Sequence, residues 1–263
     1  MTIAKADLIE GMAKGMAVLE SFDTERQRLN ASLAAQRAGI TRAAARRHLL
    51  TLSHLGYLET DGSYFWLSAK VLRFSGSYLS TARLPRTVQP TLNRLAAQAH
   101  ESFSVAVQDG DAVVIVARSV AMAPLAESSQ TTIRLLARGM HLGARLPIHA
   151  TSTGRVLLAA MPRGDFSGWL KGRALPKLTP YTVVEPAGFR KLITEVRQND
   201  YCLASQEHEL GVHALAVPLR NAEGKTVAAL NTVIPYTHLQ QSGLLRELLR
   251  LMQEAALELR PML

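Results

Sequence analysis

The chain has 263 residues, of which 48% are hydrophobic and 19% charged, so its composition excludes an intrinsically disordered protein. Its 30 Lys and Arg against 21 Asp and Glu favour a polyanionic partner, either nucleic acid or an acidic membrane surface, with a merely basic soluble protein as the alternative. The single cysteine, Cys202, excludes a disulfide framework or a cysteine metal site within one chain, as expected in a reducing cytoplasm.

The N-terminal residues lack the apolar core of a signal peptide, and no run of 18 apolar residues predicts a membrane span. We therefore expect a cytoplasmic protein without a membrane partner. The length suits one small domain followed by a larger one.

Three helices are predicted in the first 55 residues, at about 11–22, 31–38 and 42–55. Asn30 and Thr41 are good N-caps for the second and the third helix, and a glycine lies between these two helices. Two helices joined by a tight glycine-containing turn predict a helix-turn-helix.

The third helix has a basic face in a region without acidic residues. Between Glu25 and Glu59 the sequence contains six arginines and no Asp or Glu. A face of small residues and arginine can enter a major groove closely and reach phosphates and guanine edges. A solvated arginine face is the alternative, but the caps, the turn and the charge pattern together favour DNA binding.

A hairpin is predicted directly after the third helix. Residues 57–60 and 63–67 are candidate strands around Asp61-Gly62, which predicts a type I′ turn. A hairpin in this position is the wing of a winged helix-turn-helix, unless it merely covers the core. The candidate DNA-binding residues of helices and wing are Arg37, Thr41, Arg42, Ala43, Arg46, Arg47, Gly62 and Tyr64.

A linker helix is predicted over about 69–82, capped by Ser68 and ended at Leu84-Pro85. The expected organisation is a winged helix-turn-helix domain, a linker helix and a larger domain, over 1–67, 68–83 and 84–263. We predict an α+β class for the larger domain. Its expected helices lie near 86–99, 152–161, 186–198 and 241–259. Its expected strands lie near 103–108, 112–117, 131–136, 201–205, 213–219 and 226–234.

The predicted helix at 152 opens with hydroxyl-bearing and small side chains, in Thr151-Ser152-Thr153-Gly154. The first amides of such a helix point outward without partners, and the helix dipole favours an anion there. The segment is therefore a candidate carboxylate site, with ordinary Ser/Thr capping as the alternative.

Enzyme motifs are incomplete. Gly224-Lys225-Thr226 resembles the end of a P-loop, but Leu219 stands where its first glycine is needed. His208-Glu209 begins a zinc-protease motif, but Val212 stands in place of the second histidine. We therefore expect no enzymatic activity, no cofactor and no metal, and an enzyme is the remote alternative.

Several segments resemble the IclR family of transcriptional regulators. GMAKGMAVLE (11–20) resembles the family's opening, and TRAAARR (41–47) the recognition helix of the branch controlling aromatic-acid catabolism. The resemblance continues through 139–143, 146–155, 178–182 and 206–211, so it covers nearly the whole chain. It implies a winged helix domain, a linker helix and a GAF-like effector domain. It also implies dimers through the N-terminal part and often tetramers through the effector domains.

The resemblance also implies an effector and a direction of regulation. It implies activation of an adjacent catabolic operon in response to 4-hydroxybenzoate, with repression, or protocatechuate or another small carboxylate, as alternatives. In the family, small carboxylates sit against the helix start that corresponds here to Ser152 and Thr153, facing the strand after Glu207. Many relatives have Leu-Arg where this chain has Val212-His213.

The candidate effector-binding residues have three expected roles. The helix start receives the carboxylate, apolar side chains form the walls, and His213 or Asn231 meets the phenol. Arg134 is a candidate ion-pair partner, with an ordinary surface position as the alternative. The full set is Arg134, Met140, Leu142, Leu146, Thr151, Ser152, Thr153, Ser205, His213, Ala214 and Asn231.

Overall fold

The structure is a computed structural model that describes residues 4–23, 26–119, 141–235 and 243–263. Internal contacts divide the chain into two units, Met1–Ser80 and Thr81–Leu263. Arg134, Met140 and the strand expected near 131–136 lie outside the described residues. Among the helices of the described ranges, none has the length and apolarity needed to cross a membrane.

The first unit begins with three helices that pack together with a two-stranded antiparallel hairpin. The helices are α1 (Glu10–Glu20), α2 (Ala31–Ala38) and α3 (Arg42–His54). The strands are β1 (Leu58–Thr60) and β2 (Phe65–Leu67). Their shared core consists of Val18, Phe22, Leu29, Ala34, Ala35, Ala45, Leu49, Leu58 and Phe65. This is the predicted winged helix-turn-helix.

Both predicted caps of the helix-turn-helix form. Asn30 Oδ1 accepts hydrogen bonds from two backbone amides of α2, at 3.0 and 3.1 Å. Thr41 Oγ1 accepts from the amide of Ala44 at 3.3 Å. Gly39 adopts the left-handed conformation after α2, with φ of 64°. Each polar cap contributes about 1 kcal/mol, so local chemistry fixes where α2 and α3 begin.

The wing turn differs from the type I′ turn expected at Asp61-Gly62. Thr60 pairs directly with Phe65, so the loop has four residues, and within it only Gly62 has a positive φ. A type I′ turn needs positive φ at both central residues. The prediction is wrong because the Asp61 carboxylate accepts from two following amides, at 3.0 and 2.8 Å, and stabilises the longer loop.

The linker region contains two helices that meet near residue 82. Ser68 Oγ accepts a hydrogen bond from the backbone amide of Lys70 at 3.2 Å and starts a 3₁₀ turn. Helix α4 follows and spans Leu72–Thr81. The next helix, α5, spans Arg83–Ala99 and includes Pro85 in its first turn. The predicted linker helix over about 69–82 thus ends close to its expected position, but Pro85 does not end it: Pro85 lies in the first turn of α5, where a residue has no intrahelical amide bond to lose.

The second unit is built on a six-stranded antiparallel sheet of order β5-β4-β3-β8-β7-β6. Its strands are β3 (Phe103–Asp109), β4 (Ala112–Arg118), β5 (Arg145–Pro147), β6 (Cys202–Ser205), β7 (Val212–Arg220) and β8 (Thr226–Pro235). Within the described residues its other α-helices are α6 (Ser152–Ala160), α7 (Arg163–Leu170), α8 (Pro186–Asn199) and α9 (Leu244–Leu259). Sequence reasoning missed β5, which is too short for periodicity, and α7, which contains two glycines.

Alternate side chains of the central strands β7 and β8 enter two different cores. Leu215 and Val217 of β7 pack on the side of α5 and α9. Ala216 of β7 and Ala229 of β8 pack on the side of α6, α7 and α8. Because successive strand side chains point to opposite faces, the even-numbered residues of β7 face α6. This parity decides which side chains reach the cavity described below.

Candidate DNA-binding surface and effector cavity

The start of α3 presents the predicted DNA-binding residues to solvent. The five that belong to this helix and its cap share an exposed position: Thr41, Arg42, Ala43, Arg46 and Arg47. In the part of the chain that the structure describes, none of the three arginines has an ion-pair partner. An exposed guanidinium face on the second helix of a helix-turn-helix can reach phosphates and base edges.

Two other arginines of the acid-free region are paired within the unit. Arg37 forms an ion pair with Asp23, and Arg28 Nη2 lies 2.5 Å from Asp61 Oδ2. Counting charges along the sequence missed both pairs because the two acids lie just outside the region at either end. Of the four remaining arginines, three lie on α3, which therefore carries most of the charge available to DNA.

The wing places Gly62 and Tyr64 at an exposed position, with 41% of Tyr64 exposed. Hydrogen bonds from the amides of Tyr64 and Ser63 lower the pKa of Asp61, so the tip carries a carboxylate. Arg28 faces this carboxylate and also lies 4.5 Å from the ring centroid of Trp66. Arg28 thus links the wing to the segment that precedes α2.

A cavity of about 50 Å³ lies between the start of α6 and the sheet. It is lined by Leu146, Ala150, Thr151, Ser152, Thr153, Ala204, Glu207, His208, Val212, Ala214, Asn231 and Val233. The structure thus brings together six of the predicted effector residues: Leu146, Thr151, Ser152, Thr153, Ala214 and Asn231. A larger groove of about 250 Å³ lies beside α9, on the other side of the sheet from α6, and contains none of them.

The start of α6 presents hydrogen-bond donors to this cavity. Ser152 is 1% exposed, and its Oγ has no hydrogen-bond partner among the described residues. Thr151 caps the helix, accepting from the amide of Gly154 at 3.2 Å and donating to the carbonyl of Pro147 at 3.0 Å. The amides of Ser152 and Thr153 belong to the first turn and have no intrahelical acceptor. Together with the helix dipole they favour a bound anion.

Gly154 allows this helix start to lie directly against the preceding loop. A Cβ atom at this position would lie 1.9 Å from the carbonyl oxygen of Ile148, far inside van der Waals contact. Glycine is therefore required by space and not by backbone conformation. The close approach sets the position of Thr151 to Thr153 relative to the cavity.

A buried ion pair between α6 and the turn after β6 lies at the cavity wall. Arg155 is fully buried, and both of its terminal nitrogens donate to the carboxylate of Glu207, which lines the cavity. Arg155 Nε donates to the carbonyl of His149 at 2.9 Å, and Glu207 Oε2 accepts from the amide of Val183 at 3.0 Å. Sequence reasoning missed the pair because 52 positions separate its members and no local pattern links them.

Two threonines hold the turn that carries Glu207. Thr179 Oγ1 donates to the carbonyl of Gln206, and Thr182 Oγ1 donates to the carbonyl of Glu207, both at 2.7 Å. Gln206 has a positive φ of 58°, which is uncommon for a residue with a side chain. The threonine hydroxyls thus fix an unusual backbone turn at the cavity wall.

Three predicted effector residues lie outside the cavity lining. His213 alternates with Val212 and Ala214 along β7, so it points to the other face of the sheet. Ser205 is its cross-strand partner and is exposed, and Leu142 is 45% exposed. The assignment of His213 beside Ala214 followed proximity in sequence, which a period of two contradicts. Sequence reasoning in turn missed the lining residues Ala150, Ala204, Glu207, His208, Val212 and Val233.

Asn231 of β8 is the polar residue of the sheet that lines the cavity, and it is buried. Ser104 Oγ, on the neighbouring strand β3, donates to Asn231 Oδ1. This bond engages the amide oxygen and leaves the NH₂ group as the hydrogen-bonding end of the side chain.

An exposed basic helix in a helix-turn-helix, together with a second unit that contains a buried cavity, is the arrangement of a DNA-binding transcriptional regulator. The sequence matches the IclR helix-turn-helix domain over residues 11–62 and the bacterial transcriptional regulator IclR C-terminal domain over residues 76–260. The chain therefore belongs to the IclR family, and the family consists of regulators and not of enzymes.

Several regulatory proteins align with nearly the whole chain. This chain is 48% identical to the Pca operon regulatory protein of Acinetobacter baylyi, over 99% of this chain and 91% of the relative. It is 49% identical to the p-hydroxybenzoate hydroxylase transcriptional activator of the same organism, over 98% and 93%. A solved inducer-binding domain is 44% identical, with a TM-score of 0.62, over 69% of this chain and 100% of that one. It is that of a PobR double mutant from Acinetobacter in complex with 3-hydroxybenzoic acid.

Proposed function

We propose that this protein activates genes of aromatic-acid catabolism and binds 4-hydroxybenzoate, or a close hydroxybenzoate, in the cavity at the start of α6. The buried hydroxyl of Ser152, which has no partner among the described residues, carries the proposal, because an unpaired buried polar group calls for a ligand that accepts its hydrogen bond. The aromatic ligand class is supported by the name of the p-hydroxybenzoate hydroxylase transcriptional activator and by the complex of the PobR inducer-binding domain with 3-hydroxybenzoic acid.

The lining residues suggest how such a ligand lies. The carboxylate accepts from the hydroxyl of Ser152 and the first-turn amides of α6, where the helix dipole favours negative charge. Leu146, Ala214 and Val233 supply apolar walls for the ring. Arg134 and Met140 remain candidates from outside the described residues. Binding there would bias the second unit between two packings, and the linker helices would transmit that bias to the DNA-binding unit.

Calorimetric titration tests this site. We expect wild-type protein to bind 4-hydroxybenzoate at one site per chain, and Ser152→Trp to weaken binding by more than about a hundredfold, because the indole fills the carboxylate position. Ser167→Trp, the same change at an exposed position of α7, is the matched control and leaves affinity unchanged.

An unchanged affinity of Ser152→Trp for 4-hydroxybenzoate would contradict the proposed binding site at the start of α6. If the wild-type protein does not bind 4-hydroxybenzoate, the assignment of this ligand is wrong. If protocatechuate binds more tightly, protocatechuate is the better assignment.

We further propose that the protein binds duplex DNA as a dimer. The first unit exposes large apolar side chains on one stretch of α1 and the turn before it: Ile9 and Met12 are each 69% exposed, and Met16 is 49% exposed. Met12 and Met16 lie four positions apart and share a helix face. An exposed apolar stripe of this kind fits a second copy of the chain, because a symmetric dimer buries the same patch from both sides.

Arg46→Ala is expected to weaken binding to duplexes selected by this protein from random sequence. A guanidinium that reads a base edge contributes about 1–3 kcal/mol, which is roughly a 5- to 150-fold loss of affinity. Arg73→Ala removes the same charge from α4 and serves as the control, with a small and sequence-independent effect.

Gel-shift titration in fixed salt measures both variants. Equal losses for Arg46→Ala and Arg73→Ala would contradict the recognition-helix assignment. In the same assay, mixing the chain with a longer tagged version gives a complex of intermediate mobility if a dimer binds, and no such complex if a monomer binds.

A further inference from the structure

His208 gives the cavity a second unsatisfied polar position. It lies among the lining residues, and its Nδ1 is buried without a hydrogen-bond partner among the described residues. Burial lowers the pKa of this imidazole, more than the nearby Glu209 raises it, so the ring is neutral at pH 7. A neutral imidazole offers one donor and one acceptor nitrogen, which suits a neutral ligand group better than an anion.

The charges around the cavity distinguish the unsatisfied polar positions at Ser152 and His208. Among the described lining residues there is no Lys or Arg, so the start of α6 is the described source of positive potential. The segment of His208 instead carries carboxylates at Glu207 and Glu209. Although Arg155 compensates Glu207, a ligand carboxylate gains nothing from lying beside this segment. The anionic end of a ligand therefore belongs at α6 and a neutral polar group at His208.

We propose that His208 hydrogen-bonds the hydroxyl of the ligand and is the residue that separates a hydroxylated aromatic acid from an unsubstituted one. This inference rests on the proposed function of the cavity. The phenol donates to Nδ1 if that nitrogen is unprotonated, and accepts from it if the nitrogen carries the ring proton. Benzoate would leave the buried nitrogen unpaired, which is the unfavourable state that a hydroxyl removes.

Titrating the full chain with two ligands tests the assignment. We expect the wild type to bind 4-hydroxybenzoate about tenfold more tightly than benzoate. His208→Leu should weaken 4-hydroxybenzoate by about tenfold and change benzoate by less than about twofold, so that the preference disappears. His208→Asn should retain part of the preference, because its amide places a polar atom near the position of Nδ1.

Thermal melting without ligand shows whether each variant is folded, and the Asn variant keeps the test available if the Leu variant is not. Equal weakening of both acids by His208→Leu, or an unchanged preference, overturns the role of His208 alone. Failure of the wild type to bind either acid overturns the proposed function of the cavity and this inference with it.

Discussion

Glu207→Gln is expected to lower the free energy of unfolding by about 3–5 kcal/mol, since it leaves the fully buried Arg155 without a counter-charge. The amide still accepts from the backbone of Val183, so the loss reports the ion pair and not that hydrogen bond. Urea denaturation followed by circular dichroism measures the change.

An exposed pair of the same geometry provides the control. Asp200 and Arg220 also form two parallel hydrogen bonds, but both side chains are more than one third exposed. Asp200→Asn should therefore cost less than about 1 kcal/mol. The double variant Arg155→Met with Glu207→Leu should recover most of the loss, because it removes both buried charges together. A cost for Glu207→Gln no larger than that for Asp200→Asn would contradict this account of the pair.

Gly154→Ala is expected to cost about 3 kcal/mol and to abolish effector binding. The added Cβ meets the backbone carbonyl of Ile148 at 1.9 Å, and backbone cannot move aside as a flexible side chain can. Relieving the overlap moves the start of α6 away from the preceding loop, and with it the donors at Ser152.

Gly168→Ala is the matched control, because Gly168 is also helical and an added Cβ there meets nothing within 4 Å. It should change stability by less than about 1 kcal/mol, in the stabilising direction, since alanine favours a helix. Urea denaturation and calorimetry with 4-hydroxybenzoate compare the two variants. Equal stability of Gly154→Ala and Gly168→Ala would show that the loop yields more easily than its packing implies.

The parts of the fold that depend only on residues close together in the sequence could be predicted from it. Asn30 and Thr41 cap α2 and α3 as expected, because each cap needs only its own side chain and the amides that follow. The Asp61-Gly62 dipeptide predicts the wrong turn in the wing, because the side chain of Asp61 stabilises a longer loop.

The residues that line the cavity could be predicted only where they follow one another in the sequence. Residues 151–153 form one helix start, so their grouping is a local property. The pairing of Arg155 with Glu207 depends on how α6 packs against the end of β6, which no spacing rule contains. The face of His213 depends on strand register, which only the paired sheet defines.

Small side chains on the sheet side of the cavity have a consequence for how related regulators diverge. Ala204 and Ala214 lie directly opposite each other on β6 and β7 and form part of the wall. One nucleotide change converts either alanine codon into a valine codon, adding two methyl groups to a space that the protein does not need for its main cores. Ligand preference at the proposed site can therefore change in single mutational steps while Arg155, Glu207 and the capped helix start keep the scaffold folded.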